Sequence, residues 1–253
     1  MRVSSSRRIF VGDVHGHYDA LMRLLETIAP GAEDQVYFVG DLIDRGPKSA
    51  QVIQFVREHG YGCVMGNHEH MLLEAFPESK VSQHLLQIWL QSGGYTTIAS
   101  YATPELLMEN LQWLQSLPTH LDLGDIWLVH AGVHPHLPLD AQTVQQFCWI
   151  REEFHGTPEP YFSDKLIITG HTITFTLPGV PAGAVAKGRG WLNIDTGAYH
   201  PKSGWLTAVD MTQEQVYQVN VFQNTVRSMP LAEAAVEIEP GQMYLRRQLI
   251  QTL

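Results

Sequence analysis

Arg8-Ile9-Phe10-Val11-Gly12-Asp13-Val14-His15-Gly16, Gln35-Val36-Tyr37-Phe38-Val39-Gly40-Asp41 and Tyr61-Gly62-Cys63-Val64-Met65-Gly66-Asn67-His68 decide how this chain is built. Each is a short apolar run that ends on glycine and then offers a polar side chain able to hold a metal. Between the first two, Asp19 to Ala29 spaces Leu21, Leu24, Leu25 and Ile28 along one helical face. Between the second and third, Ser49 is placed to cap a helix carrying Val52, Ile53 and Val56. His70 to Phe76 opens the next helix. Strand, helix, strand, helix, strand implies right-handed crossovers and parallel strands. Three C-terminal strand ends then share one edge, where open α/β sheets bind ligands.

Working outward, residues 77–120 read as a helical insertion beside that edge. Val81–Leu90 and Pro104–Leu117 have helical spacing, and Ser92-Gly93-Gly94 interrupts them. Strands are predicted at Ile126–Val129, Lys165–Thr169, Trp191–Ile194, Leu206–Val209 and Gln215–Val221, the last three as an antiparallel meander. The predicted fold class is α/β: two mixed β-sheets packed as a central sandwich flanked by helices. Residues 1–253 read as a single domain, and the C-terminal tail, 223–253, is expected to pack on the surface or form an oligomer contact.

The bulk of the chain narrows the function. With 44% apolar and 17% charged residues among 253, it is an ordinary globular sequence. A net charge of −10 disfavours nucleic acid as a partner, because neutralising phosphates needs a basic face. Two cysteines, Cys63 and Cys148, are too few for a disulfide framework. No apolar run reaches the ~18 residues of a membrane span, and the N-terminal stretch has no signal-peptide core. The expectation is a cytoplasmic protein with no membrane partner.

Five segments carry chemistry: Gly12-Asp13-Val14-His15-Gly16, Gly40-Asp41-Leu42-Ile43-Asp44-Arg45-Gly46, Gly66-Asn67-His68-Glu69, His130-Ala131-Gly132 and Gly170-His171-Thr172. Each follows a predicted strand. Two carboxylates, three imidazoles and an amide form a mixed N/O donor set suited to Mn²⁺, Fe or Zn²⁺. Six donors exceed what one catalytic ion with open positions needs, and they suit two ions sharing a carboxylate.

At these residues the chain resembles the phosphoprotein phosphatase family of metallophosphoesterases, in its compact bacterial and phage form. The resemblance runs over about residues 8–210 and implies a calcineurin-like metallophosphoesterase fold. It implies that Asp13, His15 and Asp41 hold a first divalent ion and that Asp41, Asn67, His130 and His171 hold a second. Mn²⁺ is the expected ion, with Fe or Zn²⁺ as alternatives. It further implies that Arg45, Arg151 and Asn67 bind phosphate, that His68 protonates the leaving oxygen, and that Asp44 orients His68. Asp195, in Ile194-Asp195-Thr196-Gly197, matches a family segment as a structural support.

Physical chemistry supports these roles independently. Coordination lowers the pKa of a bridging water to ~7, so that a hydroxide can attack phosphorus in line. A guanidinium suits the charge on the equatorial oxygens, and a histidine paired to a carboxylate suits the leaving group.

The expected activity is therefore a metal-dependent phosphomonoesterase acting on a phosphorylated protein or a small phosphoester. A serine/threonine protein phosphatase, with tyrosine activity in addition, is the first reading. A symmetrical bis(5'-nucleosyl)-tetraphosphate hydrolase is the alternative. Within the resemblance, Asp44 and Glu69 favour the phosphatase, because the hydrolase branch usually departs from both. Glu69 is assigned no catalytic role, since a carboxylate there suits the helix dipole. The remaining histidines read as surface or packing residues, with the pocket rim as a second reading for His134 and His136, which follow closely on His130, and Trp89 reads as packing.

Overall fold

β1 (Arg8–Val11) contacts two cores alternately, as a strand buried on both faces must. Ile9 and Val11 point to one core and Phe10 to another. The computed structural model describes residues 6–77 and 81–243. Residues 1–5, 78–80 and 244–253 lie outside the described residues, and with them parts of the N-terminal stretch, of the 77–120 segment and of the tail.

After β1, α1 (Tyr18–Ile28) buries Leu21, Leu24, Leu25 and Ile28. β2 (Gln35–Phe38), α2 (Ser49–Glu58), β3 (Gly62–Cys63) and α3 (Asn67–Ala75) repeat the unit, and β1, β2 and β3 pair in parallel. α4 (Gln83–Trp89), a π-helical turn over Leu90–Gly94, α5 (Tyr95–Ser100) and α6 (Pro104–Gln115) follow. The chain continues through β4 (His120–Asp122), β5 (Ile126–Val129), α7 (Val144–Trp149), α8 (Glu152–His155), β6 (Leu166–Thr169), β7 (Val185–Gly188) and β8 (Trp191–Asn193). It then runs through β9 (Trp205–Asp210), β10 (Gln215–Asn220), β11 (Val226–Pro230), α9 (Leu231–Ala234) and β12 (Ala235–Glu237).

Among the described residues the strands form two six-stranded sheets, in the orders β11-β10-β9-β1-β2-β3 and β12-β7-β8-β6-β5-β4. Phe10, Val39 and Val209 from the first sheet meet Leu128, Ile168 and Leu192 from the second. Burying each such side chain contributes about 1.5–3 kcal/mol. α1, α2, α3 and α6 cover the outer face of the first sheet, with Leu24, Val52, Leu72 and Leu111 in one cluster. α7 and α8 cover the second, through Phe147 and Phe154 against Trp127 and Trp191. The fold is the α/β sandwich with flanking helices that the sequence predicts.

Several local expectations need correction. The last three predicted strands are not one meander. β9 and β10 pair antiparallel, but β8 joins the other sheet, parallel to β6. Beyond β8 the chain crosses between sheets at Ile194, whose carbonyl lies against Gly12; a Cβ on Gly12 would stand 2.7 Å from it. β3 is shorter than predicted, because Met65 N turns away to donate to Pro118 O at 2.8 Å. Ser49 does not cap α2. It is buried, and its Oγ accepts from Asp44 N at 3.1 Å. Within residues 223–253, β11 and β12 each extend one sheet edge. Among the described residues no helix is long and apolar enough to cross a membrane.

Candidate active site

β1, β2 and β3 of one sheet and β5, β6 and β8 of the other end in the loops that carry the five segments and Asp195. Hydrogen bonds tie the two sets of ends together. His171 N donates to Asp13 Oδ2 at 3.1 Å, and His130 Nδ1 donates to Val39 O at 2.8 Å. The turns are sharp. His15, Asp41, Asp44, Arg45 and His171 all take positive φ, between 46° and 72°. Such conformations cost roughly 1–3 kcal/mol each and persist where surrounding structure imposes them.

Asp41 lies at the centre. Its Oδ2 is 3.6 Å from His15 Nε2, and its Oδ1 is 3.4 Å from His130 Nε2. The ligand-capable atoms of Asp13, Asp41 and His130 lie within 4.8 Å of one another, as do those of His15, Asp41 and His68. Asp41 belongs to both groups, as a bridging carboxylate would. In these groups Asp13 stands with His130 and His68 with His15, which differs from the division implied by the resemblance.

Backbone carbonyls fix the ring tautomers. His15 Nδ1 donates to Ile43 O at 2.8 Å, which turns the Nε2 lone pair inward, where Arg45 Nη1 donates to it at 2.6 Å. His130 commits Nδ1 to Val39 O, and His171 directs Nε2 to Trp149 O at 3.3 Å. The remaining lone pairs, His130 Nε2 and His171 Nδ1, both face Asn67 Oδ1, at 3.0 and 2.9 Å. Three acceptor atoms so placed suit a shared electrophile. Burial holds all three rings toward the neutral form that binds metal, helped at His15 by Arg45 and at His171 by His130 and Arg151.

Buried negative charge makes the same demand. Burial, with Asp195 and Asp41 beside it, pushes the Asp13 carboxyl well above its usual range. Burial likewise raises Asp195 to about 6. At Asp41 burial acts upward, but His130, His68 and His15 outweigh it and hold the carboxyl low. Buried carboxyl groups in this number ionise together only where cations face them. The His/Asp groups fit a dinuclear metal site.

Around that centre lie the groups expected to handle phosphate. His68 Nδ1 meets Asp44 Oδ2 at 2.5 Å. Arg45 stacks its guanidinium 3.9 Å above the Tyr199 ring. Arg151 Nη1 donates to His171 O and Thr172 Oγ1, each at 3.2 Å. Among the described residues Arg151 forms no ion pair with the adjacent Glu152 or Glu153. Asp41, Arg45, Asn67, His68, Arg151 and His171 line one cleft of about 130 Å³.

Three contributors were not legible in the sequence. Glu69 is fully buried, and its carboxylate accepts from Asp41 N, Leu42 N, Ile43 N and Gly66 N at 2.8–3.3 Å. Trp89 Nε1 donates to Asp44 Oδ2 at 2.9 Å, and Thr97 Oγ1 donates to Asp44 Oδ1 at 2.6 Å. Glu69 at the start of a helix looks like a dipole partner, and Trp89 in a helical pattern looks like packing; nothing in the local sequence separates those readings.

Comparison with known proteins agrees with this geometry. The chain is 37% identical over 132 residues to a symmetrical bis(5'-nucleosyl)-tetraphosphatase of Actinobacillus succinogenes, covering 50% of this chain and 44% of that protein. A protein of the same name from Vibrio campbellii is 35% identical over 170 residues, or 62% and 60% of the two chains. The chain spans about half the length of the curated relatives it matches. A solved structure described as a candidate diadenosine tetraphosphatase superposes with a TM-score of 0.61 at 20% identity, over 91% of this chain and 96% of that one, and so shares its fold. Residues 6–186 match the calcineurin-like phosphoesterase family, to which this chain belongs.

Proposed function

We propose that the chain hydrolyses dinucleoside polyphosphates, cleaving a tetraphosphate symmetrically at a dinuclear metal centre. The carrying observation is that Asp13, His15 and His130 gather around the carboxylate of Asp41 while Asn67 faces both His130 and His171, at a cleft that also presents Arg45, Arg151 and His68. The tetraphosphatase relatives direct the choice of substrate. Mn²⁺ suits the mixed N/O donors, with Fe and Zn²⁺ as alternatives.

Asp13, His15, Asp41, Asn67, His130 and His171 would hold two divalent ions, which would supply Lewis acidity and lower the pKa of a water toward neutrality. Arg45 and Arg151 grip the phosphoryl oxygens as charge builds on them. His68, oriented by Asp44, gives its proton to the departing bridging oxygen as the bond from that oxygen to phosphorus breaks.

A protein phosphatase is the second reading, favoured by one observation: Asp44 is present and bonded to His68. Side-by-side turnover of diadenosine tetraphosphate and a phosphoserine peptide by the Mn²⁺-loaded protein separates the two. The expected result is faster cleavage of the dinucleotide, with ADP as the product. Faster release of phosphate from the peptide would reverse the ranking.

A further inference from the structure

Two more cavities lie beyond the cleft, the first sharing lining residues with it and the second sharing them only with the first. The first, about 150 Å³, shares Arg151 and Thr176 with the cleft and adds Thr172, His155 and Leu177. The second, about 190 Å³, shares Glu152 and Met243 with the first and adds His134, His136, Glu153 and Thr157. Together the three fall within the ~300–1,000 Å³ of sites for small organic ligands. A phosphoryl group alone would fill only the innermost.

The chemistry changes along this path. At its inner end Arg45 and Arg151 offer guanidinium groups. Glu152 lines both outer cavities and Glu153 the outermost alone; carboxylates repel phosphate, so the phosphate chain must give way to the nucleoside where Glu152 begins. The imidazoles of His134 and His136 stand edge to face there, with centroids 5.9 Å apart. His134 is half-buried and its main chain is fixed, since its N donates to Gln142 Oε1 at 2.8 Å. Imidazoles and a methionine give a flat apolar body something to pack on, as bases do on histidine rings. Carboxylates beside them accept from an exocyclic amine. The ligand that fits is anionic near Arg151 and neutral, flat and amine-bearing beyond it.

We propose that the cavity between His134–His136 and Glu152–Glu153 binds the distal nucleoside of a dinucleoside polyphosphate whose phosphates cross the Arg151 cavity to the dinuclear site. The proposal rests on the substrate class put forward above and assigns its specificity to residues outside the metal centre. Glu153 and His136 are exposed, so their substitution leaves the core intact.

Steady-state kinetics of the metal-loaded full chain test it, with diadenosine tetraphosphate and with inorganic tripolyphosphate, which has no nucleoside. The readout is the ratio of kcat/KM for the two substrates. His136→Ala and Glu153→Gln are each expected to lower that ratio about tenfold, through KM for the dinucleotide. A dinucleotide-cleaving enzyme whose ratio is the same in both variants overturns the pocket and leaves the substrate class standing. A wild-type enzyme that hydrolyses tripolyphosphate and leaves the dinucleotide intact overturns both.

Discussion

His68 is held by its ring and by its main chain. Its Nδ1 bonds Asp44, and its backbone N donates to Asp41 Oδ1 at 3.0 Å. His68 and the Asp41 carboxylate, the proton donor and the shared metal ligand of the proposed mechanism, are therefore fixed relative to each other. His68→Asn is expected to cut turnover roughly 10²–10⁴-fold while elemental analysis still finds two ions per chain; full turnover in the variant would remove His68 as the acid. Glu69 acts one step further back. Its carboxylate gathers four backbone N–H groups from the Asp41 and Gly66 loops, although burial, with Asp41 beside it, raises its pKa to about 8. Glu69→Gln swaps an acceptor oxygen for a donor in that cradle. We expect metal affinity to fall roughly 10–100-fold, the usual effect of losing a partner that orients ligands, and calorimetric metal titration measures it. Wild-type affinity would reduce Glu69 to the helix-dipole role read from sequence.

At the scale of elements, α4, the π-helical turn and α5 do more than cover the sheet. Trp89 from α4 and Thr97 from α5 both donate to Asp44, and Gly93 O between them accepts from Arg45 N at 3.2 Å. Gly93 has φ of 121°, and a Cβ there would stand 2.8 Å from Arg45 Cγ. This helical segment thus clamps the loop bearing Asp44 and Arg45. Trp89→Phe keeps the apolar volume and deletes one bond to Asp44. It is expected to lower kcat about tenfold with KM little changed. An unchanged kcat would mean that Trp89 only packs. The elements most legible in the sequence were those with apolar alternation or helical spacing, such as β1, β5, α1 and α6. β4, β7, β11 and β12 were not. β4, β11 and β12 are edge strands, so little of their pattern is set by burial.

For the whole molecule, the sandwich gathers more buried negative charge at one end than its own cations balance. Asp13, Asp41, Asp44, Glu69 and Asp195 are all nearly inaccessible. Ions bound there stabilise the folded state by mass action and relieve that repulsion. Chelation is expected to lower the melting temperature by several degrees, at roughly 2–4 °C per kcal/mol for a chain of this size, and added Mn²⁺ should restore it. A melting temperature indifferent to chelator would contradict a metal centre built from these groups.

The sequence by itself determined the βα repeat, the sandwich class and which side chains end strands, because period-2 and period-3.6 apolar spacing and glycine at sharp turns are local properties. Only the tertiary structure decided that β8 joins the second sheet and that Glu69, Trp89 and Thr97 serve the Asp41 and Asp44 loops. Those facts depend on contacts between residues far apart in the chain, where a buried carboxylate and an exposed one, or a packing tryptophan and a donating one, are the same letters.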